Sequence, residues 1–170
     1  FPTTNGQAAN LVLGQANFTG ATANAGGISA QTLSQPYGCA SDGTRFFVGD
    51  AANNRVLMWT SIPTVNRQAA NFVLGQTNFT GATANAGGLN AQALSSPREI
   101  FSTGTRLMVS DRSNNRVLIW NSMPTANRQA ADRVLGQPGF TTGTANNGGI
   151  SSQTLNEPYG VYLDEIGRAS

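Results

Sequence analysis

Residues 46–59 read FFVGDAANNRVLMW, and residues 107–120 read LMVSDRSNNRVLIW. Each stretch has two short apolar runs separated by a polar segment that contains Asn-Asn. Runs of this length and composition predict two antiparallel strands joined by a turn. The same pattern returns after 61 residues, so the sequence indicates a tandem repeat of strand pairs.

The repeat extends over most of the chain. Aligning residues 8–61 with residues 69–122 gives 36 identities in 54 positions. The segment Val-Leu-Gly-Gln occurs three times at the same spacing, beginning at residues 12, 73 and 134. Self-similarity at a fixed period is typical of stacked supersecondary units. We expect repeat units at about 1–61, 62–122 and, truncated, 123–170.

Each unit is expected to contribute short strands and no helix. In the first unit the predicted strands are 38–41, 45–48, 55–59 and 70–74, and the turn pair Asp42-Gly43 follows the first of them. Four short strands separated by turns predict a small antiparallel meander. One such sheet cannot bury its own faces, so the units are expected to stack on one another.

Four segments of the first unit carry a family resemblance: Pro36-Tyr37-Gly38, Asp42-Gly43, Phe47-Val48-Gly49-Asp50 and Asn53-Asn54-Arg55-Val56-Leu57. Together they resemble the NHL repeat of β-propellers. The second unit departs from this pattern at Arg98-Glu99, where the other two units have Tyr-Gly. The resemblance implies an all-β propeller of four-stranded antiparallel blades, with two complete blades and parts of a third in this chain. Residues 16–35 exceed the minimal repeat and are expected to form a long insertion between blades.

The third unit is incomplete in this scheme. The chain is expected to begin in the loop before an outermost strand that contains Val12-Leu13, and to end in a turn at Asp164-Glu165, just after an innermost strand at 161–163. A closed ring needs about four to eight blades. We therefore expect a partial β-propeller over 1–170 whose remaining blades belong to the same longer chain. The alternative is a homo-oligomeric open assembly in which exposed sheet edges pair with neighbouring chains.

The distribution of charge and cysteine argues against several classes of protein. All ten basic residues are scattered arginines, and the net charge is only +2, whereas nucleic-acid binders cluster basic residues. No run approaches the roughly 18 apolar residues of a membrane span, so membrane insertion is not expected. A single cysteine, Cys39, forms neither an internal disulfide nor a zinc site. Cys39, Trp59 and Trp120 are expected to pack in the core.

Catalytic chemistry is not expected in this segment. The chain has no histidine and no lysine, which removes the usual bases of nucleophilic catalysis, and no metal site or cofactor is predicted. A carboxylate before each Asn-Asn-Arg segment could bind calcium or act in catalysis, but its recurrence in each unit favours a turn acceptor. The arginines are expected to bind neighbouring carbonyls. The predicted structural-turn residues are Asp50, Asn53, Asn54, Arg55, Asp111, Asn114, Asn115 and Arg116.

The long insertions are the basis of a binding hypothesis. Residues 17–27 and 78–88 are identical, and in the propeller layout they lie on the same face as the Asn-Asn turns. Asn-Phe-Thr at residues 17 and 78 matches the N-glycosylation acceptor pattern, although an asparagine-capped turn is an equally simple account. This amide- and hydroxyl-rich loop face suits a protein or glycan partner. The alternative is that the loops pack on adjacent blades and cover the sheets. The candidate ligand-binding residues are Asn17, Thr19, Asn24, Asn78, Thr80 and Asn85.

These observations favour a non-enzymatic binding or assembly scaffold, extracellular or in the cell envelope, with a protein or glycan as partner. Two alternatives stay open. One is part of a propeller enzyme, similar to the lyases of this family, whose catalytic residues lie outside this segment. The other is the subunit of a polymer that grows by pairing of sheet edges.

Overall fold

A computed structural model describes residues 3–163 and contains two four-stranded antiparallel sheets with almost no helix. Sheet 1 consists of β1 (Pro36–Ser41), β2 (Phe46–Asp50), β3 (Arg55–Trp59) and β4 (Phe72–Leu74). Sheet 2 consists of β5 (Pro97–Ser102), β6 (Leu107–Asp111), β7 (Arg116–Trp120) and β8 (Arg133–Leu135). Within each sheet the strands pair in chain order, so the predicted all-β meander is confirmed. Within the described range, no helix is long and apolar enough to cross a membrane.

The Asn-Asn segments reverse the chain between the second and third strands of each sheet. A single 3-10 turn, Ala51–Asn53 in sheet 1, leads into Asn54, whose φ of 52° lies in the left-handed region. Asparagine adopts this conformation more readily than most residues. The reversal places Asp50 directly opposite Arg55 in the β2–β3 register.

The two sheets pack face to face around one apolar cluster. Side chains alternate between the two faces of a strand, and Val56, Met58 and Leu74 of sheet 1 join the cluster that contains Val109 and Leu118 of sheet 2. Trp59 and Trp120 are both 1% exposed. Trp120 lies in the cluster between the sheets, whereas Trp59 lies with Val48 and Leu57 on the other face of sheet 1. Both tryptophans therefore pack in the core, as predicted.

The outer face of sheet 2 carries the same repeat positions but lacks a covering sheet among the described residues. Leu135 is 49% exposed, whereas Leu74, its equivalent 61 residues earlier, is fully buried. A cavity of about 940 Å³ lies against this face, lined by Met108, Val117 and Leu135 and, opposite them, by Leu155 and Val161. The outer face of sheet 2 is therefore an apolar surface equivalent to one already used between the sheets.

Three sequence predictions are wrong at the two ends of the array. The segments 11–13 and 161–163 are not strands, and Cys39 is exposed although its equivalent Ile100 is buried. The reason is the same in each case: within the described residues no neighbouring strand pairs with these segments, and no sheet covers Cys39. The predicted turn at Asp164-Glu165 lies outside the described residues.

The turn between β1 and β2 is organised by one carboxylate. Oδ1 of Asp42 accepts hydrogen bonds from the backbone N–H groups of Thr44 at 3.0 Å and Arg45 at 2.7 Å, and Oδ2 accepts from the Arg45 guanidinium at 3.0 Å. Ser102 of sheet 2 donates its hydroxyl to Oδ2 at 3.2 Å. Burial alone raises the pKa of Asp42, but these donors outweigh it and hold the pKa below the usual 3.8. The ionised form of Asp42 therefore stabilises the turn.

Leu74→Ala is expected to lower the free energy of unfolding by about 2–5 kcal/mol, because the enclosed side chain leaves a cavity between the sheets. Leu135→Ala deletes the same atoms at the equivalent position, and we expect a loss below about 1 kcal/mol because this side chain is already half in water. Urea unfolding followed by tryptophan fluorescence measures both values. If the two substitutions lower the free energy of unfolding equally, Leu74 and Leu135 do not differ in burial as the structure shows.

Asp42→Asn is expected to destabilise the protein at neutral pH and to have less effect in acid. Because the folded-state pKa of Asp42 is depressed, its contribution is present above the unfolded pKa of about 3.9 and is lost as pH falls through the folded value. The measurement is urea unfolding of both proteins from about pH 7 to about pH 2. A stability difference that stays constant over this range would show that the charge of Asp42 contributes nothing.

Candidate functional site

A carboxylate and a guanidinium are buried together at the turn between β2 and β3. The side chains of Asp50 and Arg55 are both 0% exposed, and Arg55 Nε donates to Asp50 Oδ2 at 2.7 Å. The same oxygen accepts from the Asn53 amide at 2.8 Å, and Oδ1 accepts from the backbone N–H of Ser34 at 2.7 Å. Both carboxylate oxygens are thus hydrogen-bonded, which offsets the cost of burying the charge.

The remaining donors of Arg55 bind two consecutive long loops. One terminal nitrogen donates to the carbonyls of Ser29 at 3.0 Å and Thr32 at 2.8 Å, in the loop before sheet 1. The other donates to the carbonyl of Phe79, in the loop that leads to sheet 2, at 2.5 Å. One buried guanidinium therefore joins its own turn, the preceding loop and the following loop.

The second sheet repeats this arrangement. Arg116 Nε donates to Asp111 Oδ2 at 2.8 Å, and its terminal nitrogens donate to the carbonyls of Asn90 and Ala93 on one side and Phe140 on the other. Burial raises the pKa of the Asp111 carboxyl, and the charge of Arg116 opposes that rise. The pair is a repeated structural element and does not form a single specialised centre.

Two of the candidate ligand-binding asparagines form amide pairs with the turns. Asn24 and Asn53 donate to each other's side-chain oxygens at 3.0 and 2.8 Å, and Asn85 and Asn114 do the same at 3.0 and 2.8 Å. Asn54 reaches the other loop, donating to the carbonyl of Ala82 at 2.9 Å. Asn115 does so in sheet 2, donating to the carbonyl of Gly143 at 2.8 Å. These contacts hold the long loops against the Asn-Asn turns.

The other four candidates lie at the exposed loop tips. Asn17 Oδ1 accepts hydrogen bonds from the Thr19 backbone at 3.1 Å and from its hydroxyl at 2.8 Å. Asn78 and Thr80 form the same bonds at 3.0 and 2.9 Å. Each Asn-Phe-Thr segment is therefore an asparagine-capped turn. The structure does not bring these two tips together with Asn24 or Asn85 into one pocket.

The arrangement offers no reactive set of side chains. The buried carboxylates are fully engaged by hydrogen-bond donors, and no group of three or more acidic or cysteine side chains within residues 3–163 could hold a metal ion. No protein-family model matches the chain, and no curated protein is significantly similar to it. Inference about function therefore rests on the geometry of this chain.

Sequence reasoning missed one cluster on the same end of the sheets. The Arg98 guanidinium carbon lies 3.4 Å from the centroid of the Tyr37 ring and 5.6 Å from that of Tyr159, and the Arg112 guanidinium lies 5.0 Å from the Tyr159 ring. The one sign of this cluster in the sequence is Arg98-Glu99, which stands where the other two units have Tyr-Gly. The departure alone did not indicate that the three equivalent positions would be in contact.

Asp50→Asn is expected to lower the free energy of unfolding by about 3–5 kcal/mol, because Arg55 would keep a buried charge without a counter-ion. Glu157→Gln is the matched control, since it also neutralises one carboxylate. Glu157 is 52% exposed and pairs with Arg112 at 2.6 Å, and such surface pairs contribute about 0–1 kcal/mol. Urea unfolding at neutral pH compares the two. If Asp50→Asn costs no more than Glu157→Gln, the buried pair does not anchor the loops.

Proposed function

We propose that this chain is a non-enzymatic binding or assembly scaffold of the NHL-like propeller type, in which further four-stranded sheets stack on the two described above. The observation that carries the proposal is the repetition of the sheet–sheet interface on both outer faces. Sheet 1 buries Met58 and Leu74 against sheet 2. Sheet 2 presents the equivalent Ile119 and Leu135 on its outer face, with Leu135 half in water.

The outer face of sheet 1 supplies the complementary half. Leu107 and Val109 of sheet 2 pack in the apolar cluster between the two sheets. The equivalent residues of sheet 1 are Phe46 and Val48. These two residues line an apolar cavity of about 330 Å³ together with Cys39. Each outer face therefore matches a sheet of the same repeat. Because the two faces differ, stacking is head to tail, and such a stack closes into a ring where the rotation between successive sheets allows it.

The short outer strands argue against polymerisation through the sheet edges that β4 and β8 form. β4 and β8 are only three residues long, and short edge strands are a common protection against edge pairing.

The alternative of a propeller enzyme depends on residues beyond this segment, because the buried carboxylates here have structural partners. Stacking through sheet faces leaves the loop face free for a protein or glycan, which accords with an extracellular or cell-envelope location.

The scaffold proposal predicts association of the chain through its outer sheet faces. Light scattering over a range of concentrations is expected to show a mass that rises with concentration. Leu135→Asp should suppress this rise because it places a charge on the apolar outer face of sheet 2. Val65→Asp is the control, since Val65 is 59% exposed in the loop between β3 and β4 and its equivalent Ala126 is also exposed. A chain that stays monomeric at all concentrations, or equal effects of the two variants, would count against stacking.

A further inference from the structure

The repeat contains three equivalent segments, each beginning at the Val-Leu-Gly-Gln motif. They are the first segment (residues 12–34), the second segment (residues 73–95) and the third segment (residues 134–156). Leu13 and Leu33 of the first segment pack in the apolar cluster on the outer face of sheet 1. Leu74 and Leu94 of the second segment pack in the same way against sheet 2. The first segment therefore has on sheet 1 the position that the second segment has on sheet 2.

The hydrogen bonds of these two segments to their sheets are also equivalent. Val12 donates its backbone N–H to Asn66 Oδ1 at 3.0 Å, and Val73 donates in the same way to Asn127 Oδ1 at 3.0 Å. The amide pair that joins a segment to the Asn-Asn turn of its sheet is present in both. Each sheet thus presents the same binding surface to one such segment.

The third segment has the conformation of the other two. Asn146 has a φ of 47° and donates its backbone N–H to the carbonyl of Leu155 at 3.0 Å, as Asn24 does to Leu33 with a φ of 51°. Both Asn-Asn turns within residues 3–163 are already paired, with Asn24 and Asn85. The third segment is therefore folded for binding to a sheet but, in the described part of the chain, has no turn to pair with.

The sequence of the third segment matches that of the segment bound to sheet 1. Residues 28–33 read ISAQTL and residues 150–155 read ISSQTL, whereas residues 89–94 read LNAQAL. Thr32 is fully buried and donates its hydroxyl to a carbonyl of its own segment at 2.9 Å. Thr154 makes the equivalent bond at 3.1 Å, whereas the second segment has alanine at this position. The third segment therefore suits the outer face of a sheet 1.

We propose that two copies of the chain join by segment exchange, in which the third segment of one copy replaces the first segment on sheet 1 of the other. This inference rests on the head-to-tail stacking proposed above and names the partner and the surface that stacking uses. In the joined form Asn146 of one copy pairs with Asn53 of the second copy. Leu135 and Leu155 take the places of the two leucines of the first segment.

Exchange is required before the two outer faces can meet. The first segment lies on the outer face of sheet 1, so it stands between this face and an incoming sheet. Each contact that it gives up is replaced by an equivalent contact of the third segment, which makes such exchange a low-cost route to association. Leu135 is 49% exposed and would become enclosed as Leu74 is, and burial of this apolar surface favours the joined form.

The test makes one substitution at equivalent asparagines and measures association by light scattering over a range of concentrations. Glycine accepts the positive φ of these positions, so the change removes only the amide. Asn24→Gly loosens the first segment in the separate chain. It should lower the concentration for half-association about three- to tenfold, the size of one or two lost hydrogen bonds. Asn146→Gly removes the amide pair from the joined form alone and should raise that concentration by a similar factor.

Asn85→Gly is the matched control, because the second segment connects the two sheets of one chain and is not exchanged. It should lower the temperature of thermal unfolding, as Asn24→Gly does, and leave association unchanged. Combining Asn24→Gly with Asn146→Gly should restore the association of the unmodified chain, since the separate and joined forms then lose the same contact. Thermal unfolding establishes that each variant is folded, and aspartate, which also tolerates a positive φ, replaces glycine at all three positions if one variant is not.

Effects of Asn24→Gly and Asn146→Gly in the same direction, or no effect of either, would overturn the proposal. If Leu135→Asp still suppresses the association of the chain in that case, stacking occurs without exchange and the scaffold proposal stands. A chain that is monomeric at every concentration would overturn both, and the occupant of sheet 1 would then have to be a further unit of the same longer chain.

Discussion

The buried carboxylate–guanidinium pair at each Asn-Asn turn is the constraint on which the rest of the structure depends. A guanidinium removed from water must find an acceptor for every N–H group. Arg55 finds four acceptors, which lie in its own turn, in the loop before the sheet and in the loop after it. The long insertions therefore have to lie across the turns in one conformation. Phe79 and Ala82 supply carbonyls to Arg55 and Asn54. Phe140 and Gly143 do the same for Arg116 and Asn115 in a third copy of different sequence, so the path of the loop meets this requirement and the identity of residues 17–27 and 78–88 does not follow from it.

Fixing the loops also fixes how the sheets stack. Each loop contacts the turn of one sheet and leads into the next sheet. These contacts constrain the relative position of the two sheets in addition to the packing of their apolar faces. The faces then differ in composition, with Met58 and Leu74 on one side and Val109 and Leu118 on the other. An asymmetric interface of this kind cannot form between two identical faces, so a further sheet of the same repeat would have to stack head to tail.

Periodicity and turn chemistry are sufficient to predict the strands of the two sheets that are complete among the described residues. They fail where pairing is lacking. Residues 11–13 share the Val-Leu pair of β4 but have no adjacent strand among the described residues, and Cys39 lacks the sheet that buries Ile100. Whether a segment forms a strand depends on the strand that pairs with it, and whether a side chain is buried depends on the element that covers it. Neither can be predicted from one segment alone. The buried hydrogen bonds of Arg55 were predictable in kind, but the identity of the accepting carbonyls depends on the path of the loops.

The positions that differ between units carry a different kind of information from those that repeat. Asp50, Asn53 and Arg55 have identical equivalents because every turn has to satisfy the same buried donors. Tyr37 and Ala51 are instead replaced by Arg98 and Arg112, and both replacements lie at the same end of the sheets, around Tyr159. A change that served only packing would be expected to preserve the apolar or neutral character of its site, whereas these changes bring two cations to two exposed rings. The repeated residues thus keep the turns the same, whereas these two departures give one end of the sheets charges that the first unit lacks.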